Sequence, residues 1–592
     1  MAQVQASKAS LIRADVAVIL VCVVFGIGFI NLLSTANAPF LADVTISTRL
    51  SSLPGYALLS LTRSFLSLFL SIVFAIIYGT LAARSKTWER ILIPMLDVLQ
   101  SLPVIAFLPG FVLALISIFQ NSRWGLEFAC LLTIFVGQVW NLAFAYYESQ
   151  RQILSEFKEV ATIYKLSNSR KFFILDFPSG YKPLIYNGMM SMAGGWFFLT
   201  TCEAFTLGNQ NFRLPGLGSY LALTFSDGKF GSFSIGLGVL LIIILSTDFL
   251  IWRPLIAWVN QFNEETNKSD QNESFFLNLI RDTNLPEIIS KIFRKTLSFL
   301  FPRAEIESPG DTRKYLFDNI QKWTNIITPQ EFSWKDKITA IKNSSMVSFI
   351  VTFAIGGVVF SLLPNLPSFA ASLAKISATD WFELMHAVFL TGSKVFLVLI
   401  ISTLWTVPLG ILLGLHRTLE KIAQPIIQNA AAFPAPVLFP LITLLLYRFH
   451  LHPYLNSTLL MCVGSQWYIL FNVIGAASRI PAELKLVSKI YGFTFWKRFS
   501  RFYFPCILPS LITGWITAAG GAWNSSMVAE IIELPNHSIV QSNGIGAEFM
   551  KATFSGNYAR LVAGIICLVV ALILLNRTLW KSLQILSEKV KD

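Results

Sequence analysis

Six side chains able to act on a solute stand in pairs at fixed separations along the chain. Glu203 and Glu530, and Trp196 and Trp523, are each 327 residues apart; Arg63 and Lys394 are 331 apart. All fall within apolar stretches, the charged ones toward their ends. A carboxylate there can gate a pathway or contact a delivering protein, or it can be a solvated interfacial group. A tryptophan can stack on a solute or sit in an interfacial belt. A cation at a narrow, low-dielectric mouth concentrates its field on an incoming anion, whereas one at a span end also snorkels to lipid headgroups. No nucleophile and base are brought together by any motif. There is no G-x-x-x-x-G-K-[ST] phosphate loop, so the chain is not expected to hydrolyse ATP itself. No His/Cys/carboxylate run has metal-ligand spacing, and the six cysteines lack C-x-x-C spacing and read as small apolar residues. The expected chemistry is displacement of a solute, with no cofactor or metal in this chain.

The pairs belong to a duplication. At the 327 separation Gly137, Trp140, Glu156, Tyr164 and Pro178 also meet Gly464, Trp467, Glu483, Tyr491 and Pro505. At 331, Gly79, Glu89, Pro103 and Pro109 meet Gly410, Glu420, Pro434 and Pro440. Two ordered sets separated by a small indel define two copies of one unit.

Composition places those copies in a bilayer. Of 592 residues 54% are hydrophobic and 13% charged, against about 25% charged in soluble domains. Stretches long enough to cross, roughly 20 residues each, fall at 14–36, 57–83, 91–119, 126–147, 181–203 and 232–258. The second copy gives 346–364, 386–414, 424–448, 456–476, 507–530 and 559–577. The expected fold is all-α and polytopic, about twelve transmembrane helices in two homologous halves. Pro103, Pro109, Pro434 and Pro440 interrupt two spans, as pore-helix kinks or as tolerated ones. The first span has features of a secretory signal around Ala36-Asn37-Ala38, but the matching extra span in the second copy favours a retained helix.

Lys and Arg set the orientation. Arg84, Lys86 and Arg90, then Lys158, Lys165, Arg170 and Lys171, then Arg417, Lys421, Lys485, Lys489, Lys497, Arg498 and Arg501 all lie on one side if both termini are cytosolic. The net charge of +13 is mostly this topology signal, and no nucleic-acid partner is needed to explain it. Domains are expected at 1–258 and 346–592, joined by a cytosolic linker at 259–345. Short amphipathic helices in that linker suit either an interfacial tether or a docking surface.

Each copy carries a cytosolic hook between its fourth and fifth spans, a helix, a tight turn and a second helix ending at Pro178 or Pro505. These segments resemble the EAA loop of permease subunits of bacterial binding-protein-dependent ABC importers. That pattern is E-A-A, three residues, Gly, nine residues, then a proline-ended apolar group. Glu159-Val160-Ala161 and Pro178 fit, with Lys165 where Gly is expected. In the second copy Leu486-Val487-Ser488, Gly492 and Pro505 fit, and the glutamate is lost. SLPVIAFLP (101–109), Gly194-Gly195-Trp196, Gly216-Leu217-Gly218, Ala522-Trp523, Ala529-Glu530 and Gly544-Ile545-Gly546 resemble the nitrate/sulfonate/taurine-type branch.

The resemblance implies a type I importer permease in the bacterial inner membrane, with one chain supplying both halves. It implies two copies of a cytosolic ABC ATPase, carrying ATP and Mg, seated on the hooks at Glu156, Glu159, Val160, Ala161, Lys165 and Pro178, and at Glu483, Leu486, Val487, Ser488, Gly492 and Pro505. It also implies an extracytoplasmic solute-binding protein and a small solute, an oxyanion such as nitrate, a sulfonate, taurine or bicarbonate. Arg63, Lys394, Trp196, Trp523, Glu203 and Glu530 are the candidates for pathway or gate. The alternative is a secondary transporter of two parallel six-helix repeats, which usually needs ionisable residues deep in its spans.

Overall fold

A computed structural model describes residues 23–38, 46–101, 103–119, 122–207, 210–260, 376–481, 493–535 and 539–583, with the isolated residues 373, 374, 490 and 585. The described parts of Val18–Asn278 and Ser377–Asp592 belong to one compact unit. The linker beyond residue 260, the span at 346–364 and the hook residues Glu483, Leu486, Val487, Ser488 and Gly492 lie outside the described residues.

The first copy runs α1 (Val23–Ala36), α2 (Leu53–Arg84), α3 (Lys86–Ser101), α4 (Leu108–Ile118), α5 (Trp124–Arg151), α6 (Ser155–Ile163), α7 (Asn168–Lys171), α8 (Phe177–Ser179) and α9 (Tyr181–Glu203). A hairpin of β1 (Ala204–Leu207) and β2 (Gln210–Arg213) follows, then α10 (Leu217–Ser226), α11 (Phe230–Thr247) and α12 (Arg253–Asn260). The second copy repeats this with α13 (Ala378–Leu415), α14 (Arg417–Ala432), α15 (Ala435–Tyr447), α16 (Pro453–Ser478), α17 (Phe495–Arg498) and α18 (Phe504–Ala529). It closes with β3 (Ile531–Glu533), β4 (Ile539–Gln541), α19 (Ile545–Phe554) and α20 (Tyr558–Leu575).

Seven described helices are long and apolar enough to span a membrane, or eight if one bent pair counts as a span. The helical, duplicated, multi-pass architecture is the expected one, and the described residues show how individual spans are built. The third span of each copy is broken: 3-10 geometry starts at Val104 after Pro103, and α14 and α15 meet at 84° at Pro434. Both prolines have φ −69, with ψ 109 and 108, because the ring fixes φ and removes the N–H that would continue the helix. The fifth span of the first copy, α9, is helical but too rich in Gly, Asn and Thr to pass as strongly apolar. Two short antiparallel hairpins sit among the helices without altering the helical class.

Close packing rests on small residues. On α2, Ser60, Ser64, Ser67, Ser71 and Ala75 form a buried stripe against α5, and Ser67 Oγ donates to the Leu131 carbonyl at 3.1 Å. Without hydrophobic drive between helices in lipid, such stripes let backbones approach and gain dispersion contacts. At Gly79 a Cβ would meet the Tyr146 ring at 2.7 Å, and at Gly410 it would meet Val473 at 2.7 Å. The duplicated glycine marks the same helix crossing twice.

Four π-helical turns also recur by copy: Phe172–Asp176 with Phe499–Tyr503, and Asp248–Trp252 with Asn576–Trp580. Three of the four are followed two residues later by a proline, Pro178, Pro254 or Pro505. A proline ring clashes with the carbonyl four residues back, and a widened turn relieves that clash without ending the helix.

Candidate functional site

The charged residues are buried and ion-paired within each copy. Arg63 and Glu203 are 0% exposed and Glu127 is 1% exposed. Arg63 donates Nε and Nη2 to the two oxygens of Glu127, each at 2.7 Å, and Nη1 to Glu203 Oε1 and the Pro215 carbonyl, each at 2.8 Å. Glu203 also accepts from Ser60 Oγ at 2.6 Å and from the Gly218 amide at 2.7 Å. Its carboxylate thus caps α10, where unpaired N–H groups favour a negative charge. The glycines of Gly216-Leu217-Gly218 are needed for this approach, since a Cβ on Gly216 would strike the Glu203 carboxylate.

The second copy rebuilds the site with different charges. Lys394, 0% exposed, donates to Glu530 Oε1 and Ser542 Oγ at 2.8 Å and to the Asn543 carbonyl at 2.7 Å. Glu530 accepts from Thr391 Oγ1 at 2.7 Å and from the Gly546 and Ala547 amides at 2.8 and 3.2 Å, capping α19. Position 454, the counterpart of Glu127 at the 327 separation, is a tyrosine whose ring centroid lies 5.4 Å from Lys394 Nζ. One guanidinium with two carboxylates is replaced by one ammonium with one carboxylate and an aromatic face.

These contacts correct two expectations. Arg63 and Lys394 do not face an open vestibule as free cations, and Glu203 and Glu530 are not solvated interfacial groups. In each copy the backbone of the turn that follows α9 or α18 is met from within the bundle: the carboxylate takes the Gly218 or the Gly546 and Ala547 amides, a hydroxyl takes the Leu217 or Ile545 amide, and the cation donates to the Pro215 or Asn543 carbonyl. Glu127, Ser60, Thr391 and Ser542 were not legible as partners. Glu127 carried one signal, a lone carboxylate at the edge of an apolar stretch.

The two copies enclose a cavity of about 1370 Å³. Its walls include Gly137, Trp140, Gly194 and Phe197 of the first copy and Gly464, Trp467, Gly521 and Trp523 of the second. Trp523 lines it, whereas Trp196, 2% exposed, packs in the core of the first copy. Among the described residues the charged ones in the lining are Arg479, Arg577 and Lys581, all basic, at the helix ends nearest the hooks. The broken third span of the first copy meets the opposite half here. The Val104 amide, orphaned by the Pro103 break, donates to Asn524 Oδ1 of α18 at 2.8 Å.

The first hook is a built surface. α6 ends in a Schellman motif: the Leu166 amide donates to the Ala161 carbonyl and the Lys165 amide to the Thr162 carbonyl, each at 3.0 Å. Lys165 holds φ 49, the left-handed conformation that the expected glycine would adopt without strain. The residue departs from the pattern while the backbone keeps it. Glu156, Glu159 and Lys165 are exposed, Ala161 is buried, and Phe157, Val160, Ile163 and Tyr164 present an exposed apolar face. Below it Asp176 anchors the hook, its carboxylate 3.7 Å from Arg84 and its carbonyl accepting from Gln150 Nε2 at 2.6 Å. Burial pushes the Asp176 carboxyl up, against the pull of Lys171 and Arg84. Pro178 and Pro505 each follow a π-helical turn at the foot of their hook.

A duplicated, helical, multi-pass membrane unit with a cavity between its halves and a protruding hook is the architecture of a permease. The chain belongs to the family of inner-membrane components of binding-protein-dependent transport systems, which it matches twice, over residues 50–252 and 406–590. It is 25% identical over 162 residues to SsuC of Bacillus subtilis strain 168, named for aliphatic sulfonate transport, covering 27% of this chain and 55% of that protein. It is 28% identical over 145 residues to the nitrate import permease protein NrtB of Synechocystis, covering 24% of this chain and 50% of that one. The chain thus spans about half the length of these curated relatives. The family first read from the hooks is the one found, and these two relatives are named for sulfonate and nitrate transport.

Proposed function

We propose that this chain is the complete membrane pathway of an ATP-driven importer, both permease halves on one polypeptide. The observation that carries the reading is the cavity shared by both copies, reaching the hook side, where the charged residues that line it, among those described, are all cations. Two ATPase copies seat on the hooks in the cytosol, with the apolar face of Phe157, Val160, Ile163 and Tyr164 as the first contact. Their closure on ATP rocks one half against the other, turning the cavity from the cytosol to the outside, where a solute-binding protein delivers its cargo. Both termini are cytosolic in this arrangement.

The cargo is a small oxyanion. Arg479, Arg577 and Lys581 give the inner part of the pathway a positive potential, with no carboxylate among the described residues of its lining. This replaces the outer Arg63/Lys394 pair as the charge argument for an anion, and the names of the relatives, sulfonate and nitrate, have the same sign. Proteoliposomes holding the chain with its ATPase and binding protein should take up labelled nitrate, taurine or bicarbonate only with ATP. Uptake that follows a proton or sodium gradient and ignores ATP would establish the secondary-transporter reading instead.

A further inference from the structure

A second recess lies outside the pathway, on the lipid-facing seam between the halves. It is a groove of about 640 Å³ between α11–α12 of the first copy and α14–α16 of the second. Leu241, Leu245 and Arg253 form one side, and Pro425, Ile426 and Leu438 face them. Leu241, Leu245 and Ile426 are exposed, so in a bilayer this surface meets hydrocarbon. From Leu241 to Arg253 the helix rises about 18 Å at ~1.5 Å per residue. One leaflet of hydrocarbon is about 15 Å, half of the ~30 Å core. The groove therefore has an apolar floor one acyl chain long and a cation at one end.

That cation is presented for an anion. Asp248 Oδ2 accepts from Arg253 Nε at 3.0 Å, and the guanidinium carbon sits 5.8 Å from the Phe249 ring centroid. Both contacts orient the fork, and no described residue pairs with its two terminal nitrogens, on a side chain 47% exposed. Planar bidentate donation of this kind suits a phosphate. Trp258, its ring centroid 5.7 Å from that of Tyr181, puts a half-buried aromatic ring five residues beyond Arg253, as at a membrane interface.

We propose that this groove binds one acidic phospholipid, its phosphodiester on Arg253 and an acyl chain along Leu241 and Leu245. The site also touches transport. Phe433, Val463 and Trp467 line both the groove and the central cavity, so a single layer of side chains separates lipid from pathway. A bound acyl chain backs that wall and seals the seam while the halves move.

The test is photolabelling of the full chain in nanodiscs of phosphatidylcholine doped with phosphatidylglycerol carrying a diazirine on its acyl tail. Adducts should map to the peptides holding Pro425–Leu438 and Val463–Trp467. Arg253→Gln should lower them by about tenfold, the scale of a charge-assisted contact. Because this variant strands Asp248, the neutral double change Asp248→Asn with Arg253→Gln should give the same loss in a stably folded chain. Ala430→Phe, which fills the groove with Arg253 intact, should abolish the adducts. Equal labelling by a diazirine phosphatidylcholine overturns the proposal, as do adducts in Ala430→Phe that match the parent.

Discussion

The two buried ion clusters should respond unequally to the same substitution. Glu203→Gln leaves Arg63 bidentate on Glu127, with both contacts at 2.7 Å, so the guanidinium stays neutralised. The cluster goes from one excess negative charge to none. Glu530→Gln leaves the Lys394 ammonium, 0% exposed, with the Ser542 hydroxyl, the Asn543 carbonyl and the Tyr454 ring but no carboxylate. Removing one partner of a buried pair costs about 3–5 kcal/mol, whereas the first change costs about 1–2 kcal/mol for a weakened hydrogen-bond set. At ~2 °C per kcal/mol for a large chain, melting temperatures should fall roughly 6–10 °C for Glu530→Gln and 2–4 °C for Glu203→Gln. Lys394→Met should match the larger fall. The double change Lys394→Met with Glu530→Gln should recover much of it, because no uncompensated charge is left inside. The assay is size-exclusion with fluorescence detection after heating in detergent. Equal falls for the two glutamine variants, or a double variant no better than its worse single, would refute the charge reasoning.

Other outcomes are as specific. Lys165→Gly should stabilise the hook by about 1 kcal/mol by removing left-handed strain, read as slower hydrogen exchange at residues 161–166 with transport retained. Gly544→Ala should drive a methyl into the Glu530 carboxylate and lower both melting temperature and yield, while Gly556→Ala, where nothing lies within 4 Å, should cost only the strain of its φ of 66. Asn524→Leu should orphan the Val104 amide at about 1–3 kcal/mol and speed alkylation of a cysteine placed at Ala106. If the contacts between halves hold the unit together, chains cut within 263–273 and co-expressed should still co-purify, the tether adding mainly effective concentration.

The duplication, the helical class and the shape of the first hook were legible because they rest on periodicity, spacing and turn chemistry. Two things were not. Charge pairing across the bundle joins residues about 140 positions apart, such as Arg63 with Glu203, and no local pattern reports which cation meets which carboxylate. The repeat made the partners visible as equivalents without showing that they touch. Hydropathy also reads Pro434 as a blemish in one span, where the chain turns through 84°. Lys165 is the converse: the residue type argued against the turn, and the hydrogen bonds around Ala161 and Thr162 impose it anyway.

The unlike charges at Arg63 and Lys394 have a consequence for how such a molecule can change. In an assembly of two identical chains each substitution arrives twice, on both sides of the axis at once, and both sites must survive it together. Here an exchange of Glu127 for a tyrosine-like neighbour, or of arginine for lysine, alters a single site while the other holds the bundle. The two clusters can therefore drift as separate experiments. Synthesis as one chain also fixes their ratio at one to one, with no pool of free halves to pair like with like.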